Sequence, residues 1–287
     1  MNSTDLSAPG RAMPTPGVCV PRFGLIIVGD EILSGKRQDK HMAQVIRLLG
    51  ERGLSLSWAR YLGDDRAELT ECLSATLASD DVVFSCGGIG ATPDDHTRQA
   101  AAQALGQPLV LHPEAQRLIT ERTAEMAREG KAASADMSLP ENRQRLRMGE
   151  FPQGASLIPN PYNRIPGFRC ASHWFVPGFP VMAWPMIAWV LDSHYAQFFH
   201  QVPVADRSAR VLELAESTIT PLMEDVGRRW AQVKVYSLPS VGEGGQRRHI
   251  ELGVKGPPEA AEAAFEALMA GVKALGGQIE TNPRADQ

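Results

Sequence analysis

A short apolar run, Asp81-Val-Val-Phe-Ser85, feeds straight into a glycine loop, Cys86-Gly-Gly-Ile-Gly-Ala-Thr-Pro-Asp-Asp95, and then into a helix. This order constrains the fold more than any other feature of the chain. An apolar run without alternation is a strand buried on both faces. Glycines directly behind it permit positive φ and let backbone N–H groups face an anion. The same arrangement occurs earlier, where Phe23–Val28 ends in Gly29-Asp30. Between the two lie an amphipathic helix carrying Met42, Val45, Ile46 and Leu49, a strand over Leu54–Leu62, and a helix carrying Leu69, Cys72, Leu73, Thr76 and Leu77. Buried strands alternating with amphipathic helices predict an α/β fold, a parallel sheet with helices on both faces. Ligands of such sheets sit beyond the carboxyl ends of the strands. Both glycine loops therefore should open on one edge.

Further along, His112–Gly149 reads as a helix and then a charged, mobile helical segment. Strands are expected at Ala155–Ile158 and His173–Val176, and a closing helix at Met186–His200. Pro203–Ser208 looks like a linker. Beyond it the order is strand, helix, strand, strand, helix and a weak last strand at Gln278–Thr281, a small α+β domain of ferredoxin-like order. At 287 residues the chain has room for two domains, expected at 21–202 and 203–287, behind a Pro/Gly-rich disordered arm at 1–20. That arm has no apolar run of the signal-peptide kind, and no stretch is long and apolar enough to span a bilayer. A net charge of −4 gives no global drive toward nucleic acid or anionic membranes. The four cysteines, Cys19, Cys72, Cys86 and Cys170, form no CxxC pair, so reduced thiols in a cytoplasmic setting are expected.

Three phosphate-binding patterns fail on inspection. Gly29 lies too far from Gly35-Lys36 for a P-loop, and Gly88-Ile-Gly90 lacks the third glycine of a dinucleotide fingerprint. Gly242-Glu-Gly-Gly245 matches a GXXG loop as text, but it lies between two strands and reads as a hairpin turn. The loop Gly87–Thr97 remains. Thr92 and Thr97 add hydroxyls to its amides, and the following helix presents its N-terminus. Asp94 and Asp95 can be read as caps of that helix. Two carboxylates beside a phosphate cradle repel the ligand unless a cation stands between them, which favours a functional reading. His41, His96 and His173 have no metal-ligand spacing. Arg143, Arg145 and Arg147 read either as a solvated face or as a clamp over a phosphate.

Gly-Gly-x-Gly-x-Thr-Pro-Asp-Asp-x-Thr over 87–97 resembles the signature of the molybdopterin-binding domain shared by MoaB, MogA, gephyrin, MoeA and CinA. Val28-Gly-Asp-Glu-Ile-Leu-Ser-Gly35 is similar to the Gly-Asp-Glu-Leu-Leu stretch of CinA, Tyr61-Leu-Gly-Asp-Asp65 to its Val-Gly-Asp-Asp, Pro159-Asn-Pro161 with Pro166-Gly-Phe168 to its late loop, and Pro177-Gly-Phe-Pro180 to its Pro-Gly-Val-Pro. The likeness runs from about Phe23 to His200, and the small domain behind it resembles the one that follows in CinA proteins. The amidohydrolase domain of full-length CinA has no counterpart here. Two departures stand out: His41 where CinA usually carries Asn, and Val181-Met182 in place of an acidic Ser-Glu-Met.

The resemblance implies a MogA-like fold that holds a phosphorylated pterin, such as molybdopterin, or an adenine nucleotide. It also implies hydrolysis of an ADP-ribose or FAD type pyrophosphate with Mg²⁺ or another divalent metal. A non-catalytic binding or scaffold role is the alternative, and molybdopterin adenylylation is disfavoured because the late loops follow CinA. The implied catalytic residues are Asp95, Asp64 and Asp30, and the implied metal ligands Asp94, Asp95 and Asp30. The ligand is expected to meet Gly29, Glu31, Ser34, Asp39, Gly87, Gly88, Gly90, Thr92, Thr97, Asn160, Pro177 and Gly178. The implied partners are a small molecule and a second copy of the chain, a dimer ahead of a trimer.

Overall fold

The computed structural model describes residues 20–201, 203–242 and 247–281. The expected N-terminal arm, Cys19 and most of the Gly242–Gly245 turn lie outside them. The chain divides into two compact units after Gln201.

The first unit begins with β1 (Phe23–Val28), a four-residue helix α1 (Asp30–Leu33), α2 (His41–Gly50), β2 (Leu56–Leu62), α3 (Arg66–Leu77), β3 (Val82–Cys86) and α4 (Thr97–Ala104). It continues through β4 (Leu109–Leu111), α5 (Pro113–Arg128), α6 (Pro140–Leu146), β5 (Glu150–Pro152), β6 (Ser156–Ile158), β7 (Gly167–Cys170), β8 (His173–Val176) and α7 (Pro180–His194). Six strands form one sheet in the order β2-β1-β3-β8-β7-β6. The first four run parallel, as the continuous apolar runs predicted. The far edge turns antiparallel through β7 and β6. A β4–β5 pair stands apart from this sheet.

Alternate residues of the central strands serve opposite faces. Phe23, Leu25 and Ile27 join Phe84, Trp174 and Val176 against Val45 and Leu49 of α2 and Met186, Ile187 and Val190 of α7. Ile26 and Val28 join Val83 and Phe175 against Leu69 and Leu73 of α3, Ala100 and Ala101 of α4, and Ala115 of α5. Both sheet faces are thus covered. Phe151, Phe168 and Phe175 stack in series on the second face, with centroids 4.8 and 4.4 Å apart. Gly24 is required because Trp58 lies across it: a Cβ there would stand 2.1 Å from the indole.

Sequence reading placed the closing helix too late. Pro180 occupies the first turn of α7, where its missing N–H costs nothing. Pro185 then removes one later backbone bond, and the buried stripe Ala183, Met186, Ile187, Val190, Leu191 holds the helix regardless. Strand β7 was missed because Pro166-Gly167 reads as a turn. Gly167 is there because a Cβ would meet Phe175 O at 2.4 Å across the ladder.

The second unit is β9 (Ala205–Leu212), α8 (Glu216–Arg229), β10 (Lys234–Ser240), β11 (His249–Gly256), α9 (Pro258–Ala274) and β12 (Gln278–Thr281). Its sheet, β10-β11-β9-β12, is antiparallel throughout, and the weak last strand pairs with β9. The linker is shorter than expected, since β9 already begins at Ala205. Pro221 falls inside α8, which therefore starts before it, at Glu216.

His173 is wholly buried in the parallel half of the sheet, its Nε2 2.8 Å from the Thr76 hydroxyl. Burial pushes its pKa down to about 4. Between pH 4 and the ordinary value near 6.5, the unfolded chain binds the proton and the folded one does not, so stability falls as pH falls through that window. Denaturant melts should show this unit about 2 kcal/mol less stable at pH 5 than at pH 7.5. His173→Gln, which retains a donor toward Thr76, should flatten that slope.

Candidate functional site

Because β2, β1, β3 and β8 are parallel, their carboxyl ends share one edge, and the loops 29–34 and 87–95 both open there. The two loops are pinned to neighbouring strand ends. The Gly29 amide donates to Leu62 O at 3.0 Å, and the Gly87 amide to Val176 O at 3.0 Å.

The glycine loop is shaped from behind by α4. Thr97 donates its hydroxyl to Gly87 O at 3.0 Å and its amide to Gly88 O at 3.0 Å. Gly88 has φ of 67°, and a Cβ on it would fall 2.2 Å from the Thr97 hydroxyl. Gly87 and Thr97, both expected as ligand donors, are therefore spent on the loop itself. The amides of Gly88, Ile89, Gly90 and Ala91 meet no acceptor among the described residues. These are the donors left for an anion. Asp94 and Asp95 do not cap α4 either, whose N-cap His96 makes no side-chain bond. Asp95 Oδ2 instead accepts the Thr92 amide at 2.8 Å and the Thr92 hydroxyl. Gly90 makes room for that carboxylate, since a Cβ there would stand 2.5 Å from Oδ2.

Sequence reading passed over the residue that anchors the loop. Arg98 is 1% exposed. Its guanidinium donates to Gly90 O at 2.6 Å and to the carbonyls of Arg147 and Glu150. Gln144 of α6 holds Ala91 O in the same way. The only signal in the sequence was a charged residue one position past Thr97, on the inward face of a helix otherwise rich in alanine.

The acids fall into three settings. Asp30 and Asp64 lock the first two βα loops together. The Asp30 amide donates to Asp64 Oδ2 at 3.0 Å, and the Asp64 amide to Asp30 Oδ1 at 3.2 Å. Partial burial pushes the Asp64 carboxyl above its ordinary pKa, and Asp30, Glu31 and Asp94 add to the rise. Hydrogen bonding within its own loop, by contrast, holds the exposed Asp94 below it. Asp39 starts α2, accepting the amides of His41 at 2.7 Å and Met42 at 3.1 Å. It also accepts the Tyr61 hydroxyl at 2.9 Å; burial and Asp39 together push that phenol up to about 12.

Three cavities follow this edge. The first, about 330 Å³, is mostly apolar: Ile89, Met148, Ile165, Pro166, Phe179 and Met182 face Gly88, Gly90, Thr92 and Asp95, with Asn160, Pro177 and Gly178 at its wall. The second is acidic, lined by Asp30, Glu31, Asp64 and Asp94 with Ser34 and Lys36. The third borders both, sharing Glu31 with the acidic cavity and Gly178 and Phe179 with the apolar one. Asn160 lines the first, but its amide group is occupied, donating to Asn163 Oδ1 and Ile165 O and accepting the Tyr162 amide. Gly29 and Asp39 line none of the three.

The expected cation set is therefore divided. Asp95 faces the apolar cavity with one oxygen tied to Thr92, while Asp94 and Asp30 line the acidic one. Among the described residues no three His, Cys, Asp or Glu side chains converge.

Residues 24–197 match the family model described as a probable molybdopterin binding domain. The chain belongs to that family. The chain is 30% identical over 250 residues to a CinA-like protein of Anaeromyxobacter sp. (strain Fw109-5), a match that covers 81% of this chain and 58% of that one. A CinA-like protein of Geobacter metallireducens is 34% identical over 164 residues, 55% of this chain and 37% of that protein. The chain thus spans about half the length of the curated relatives it matches. Among solved structures, the protein CinA from Thermoplasma acidophilum, described as of unknown function, superposes with a TM-score of 0.51 at 26% identity, covering 60% of this chain and 98% of its own. No helix among the described residues is long and apolar enough to cross a membrane.

Arg98 in this domain holds carbonyls on two sides of the loop, which a single ammonium cannot span. Arg98→Lys should cost about 2–3 kcal/mol, in the range of lost hydrogen bonds to a buried charge. Chemical denaturation measures that loss, and exchange of the hydrogen-bonded amides of Thr92 and Thr97 should quicken by more than in the rest of the sheet.

Proposed function

We propose that this domain binds a phosphorylated pterin or adenine nucleotide and cleaves a pyrophosphate bond of the ADP-ribose or FAD type. One observation carries the reading: an apolar cavity walled by amides without acceptors adjoins an acidic cavity, and the two meet at Asp94-Asp95. A planar ring fits against Ile89, Phe179 and Met182. The Gly88–Ala91 amides then face the phosphates, where they stabilise charge that builds on a phosphoryl oxygen.

Asp30 and Asp64 each spend one oxygen on the other's amide and retain one. All four acids of the cavity offer hard oxygen, and no three converge. This fits Mg²⁺, which usually takes one or two carboxylates and fills its shell with phosphate and water. When bound, such a cation would polarise a phosphoryl oxygen and acidify water. Asp64, raised above an ordinary carboxyl by partial burial, lines this cavity and accepts the proton of the attacking water. The second oxygen of Asp95 is left to accept from a ring amino group.

The alternative is a binding module without turnover, in which Asp30 and Asp64 serve only to satisfy each other's loop amides. Incubation with ADP-ribose, FAD and NAD, with and without Mg²⁺ or Co²⁺, separates the two by AMP release. Two variants then divide the roles. Asp64→Asn keeps an oxygen for the Asp30 amide, so kcat should fall at least about 100-fold with KM little changed. Asp95→Asn keeps an oxygen for Thr92 but replaces the free acceptor with a donor, so KM should rise about tenfold or more while the melting temperature holds. Unchanged kinetics in both variants would remove these residues from the reaction.

A further inference from the structure

A fourth cavity, about 290 Å³, adjoins the apolar one. It is walled by Ile119, Thr123 and Met126 of α5 and by Tyr162, and it shares Met148, Asn163 and Ile165 with the apolar cavity. Those three side chains are the partition between two neighbouring spaces. Asn163 and Ile165 belong to the loop 159–166, so the position of that loop decides whether the spaces are separate or continuous.

The loop is held by unequal means. Toward α7 its tie is Asn163 Nδ2 on the Met182 sulfur at 3.3 Å, a weak acceptor. Toward α5 its one polar tie among the described residues is the ion pair between Arg164 and Glu125. Both side chains are partly exposed, so the pair is open to screening by salt. Arg164 also has φ of 65°, in the left-handed region that costs a residue with a Cβ free energy. Such a conformation persists only where its surroundings enforce it, and the tie to Glu125 contributes to that. Leaving it turns the peptide units on either side of Arg164. That swings Asn163 and Ile165, and it breaks the bonds of the Arg164 amide to Asn160 O at 2.9 Å and of the Ile165 amide to Asn163 Oδ1 at 3.0 Å.

We infer that the Arg164–Glu125 pair is a latch on this loop, and that its release joins the two cavities into one space that takes a larger ring system than the apolar cavity alone. Arg164 is then a specificity-determining residue that acts through the loop. Selection by ring size rests on the proposed function, which puts a ring in the apolar cavity; the latch itself does not. A ligand that needs the open loop binds with an affinity reduced to the open fraction, while one that fits the closed cavity is indifferent to it. Breaking the pair shifts opening by what a partly exposed ion pair contributes, about two- to fivefold.

The test uses the whole chain and reads one equilibrium twice. Protection of the Ile165 amide from hydrogen exchange reports opening without any ligand. Glu125→Gln and Arg164→Ala should each lower it about two- to fivefold, while the amides of β1 keep theirs. Arg164→Gly, with no φ penalty, should keep more protection than Arg164→Ala. Raising NaCl from about 0.05 M to about 0.5 M should lower protection in wild type and leave Arg164→Ala unmoved. AMP and FMN carry one phosphate each and differ in the size of the ring. By calorimetry, FMN should bind Glu125→Gln and Arg164→Ala more tightly than wild type by the same factor that protection falls, and AMP should bind all three alike. Unchanged protection in both variants, or in wild type across the salt range, overturns the latch. Lowered protection with no gain for FMN, or with an equal gain for AMP, overturns the selection by ring size. If neither nucleotide binds any of the proteins, the reading of the apolar cavity as a ring site falls, and protection alone decides the latch.

Discussion

A single buried guanidinium gives the glycine loop its form. Glycines allow many loop shapes, and without a fixed support the amides of Gly88–Ala91 would not point anywhere in particular. Arg98 removes that freedom by taking the carbonyl of Gly90 on one side and those of Arg147 and Glu150 on the other. With the Gly90 carbonyl turned toward Arg98 and those of Gly87 and Gly88 toward Thr97, the intervening amides are left without internal partners. Burial lowers the pKa of this guanidinium, and Glu150 and Asp95 offset part of that effect. It remains charged at any ordinary pH. The cost of burying it is met by several carbonyls at once, which is the condition under which a buried cation is tolerated.

The same logic explains the reciprocal bond between Asp30 and Asp64. Two parallel strands end side by side, and each leaves a loop with free amides at its first turn. Each aspartate caps the other's loop, so two backbone donors are satisfied without water. The carboxylates are thereby brought together, and their mutual repulsion helps raise the Asp64 pKa. A device that serves backbone satisfaction thus also concentrates negative charge at the sheet edge.

How far the sequence reveals this depends on the range of each interaction. Strands β1, β3 and β8 were legible because burial on both faces leaves an unbroken apolar run, and parallel order followed from the intervening helices. From that order came the shared edge and both loops. Strand β7 was illegible because its glycine answers to Phe175, a contact made across the ladder and not along the chain. The Asp30–Asp64 bond joins residues 34 apart, and Arg98 meets carbonyls about 50 positions away, so no local period announces either. Division of the acids was also hidden. Asp94 and Asp95 are neighbours in sequence, and sequence reading placed them at one point. Thr92 draws them apart, tying Asp95 toward the apolar cavity while Asp94 faces the acidic one.

This division bears on how a negatively charged edge can hold an anion at all. A phosphate placed about 4 Å from a carboxylate is opposed by several kcal/mol at protein-like dielectric. Had all the acids lined one cavity, a bound cation alone would have had to offset them. Here Asp95 is withdrawn from the acidic cavity, Asp30 and Asp64 each give one oxygen to an amide, and Lys36 lines the same wall. On the other side Arg37 and Lys40 stand without acidic partners. The charged side chains are therefore unevenly divided along the edge, three aspartates lining one cavity and Arg37 with Lys40 lining its neighbour. A ligand with uniform charge has no favoured place on such an edge.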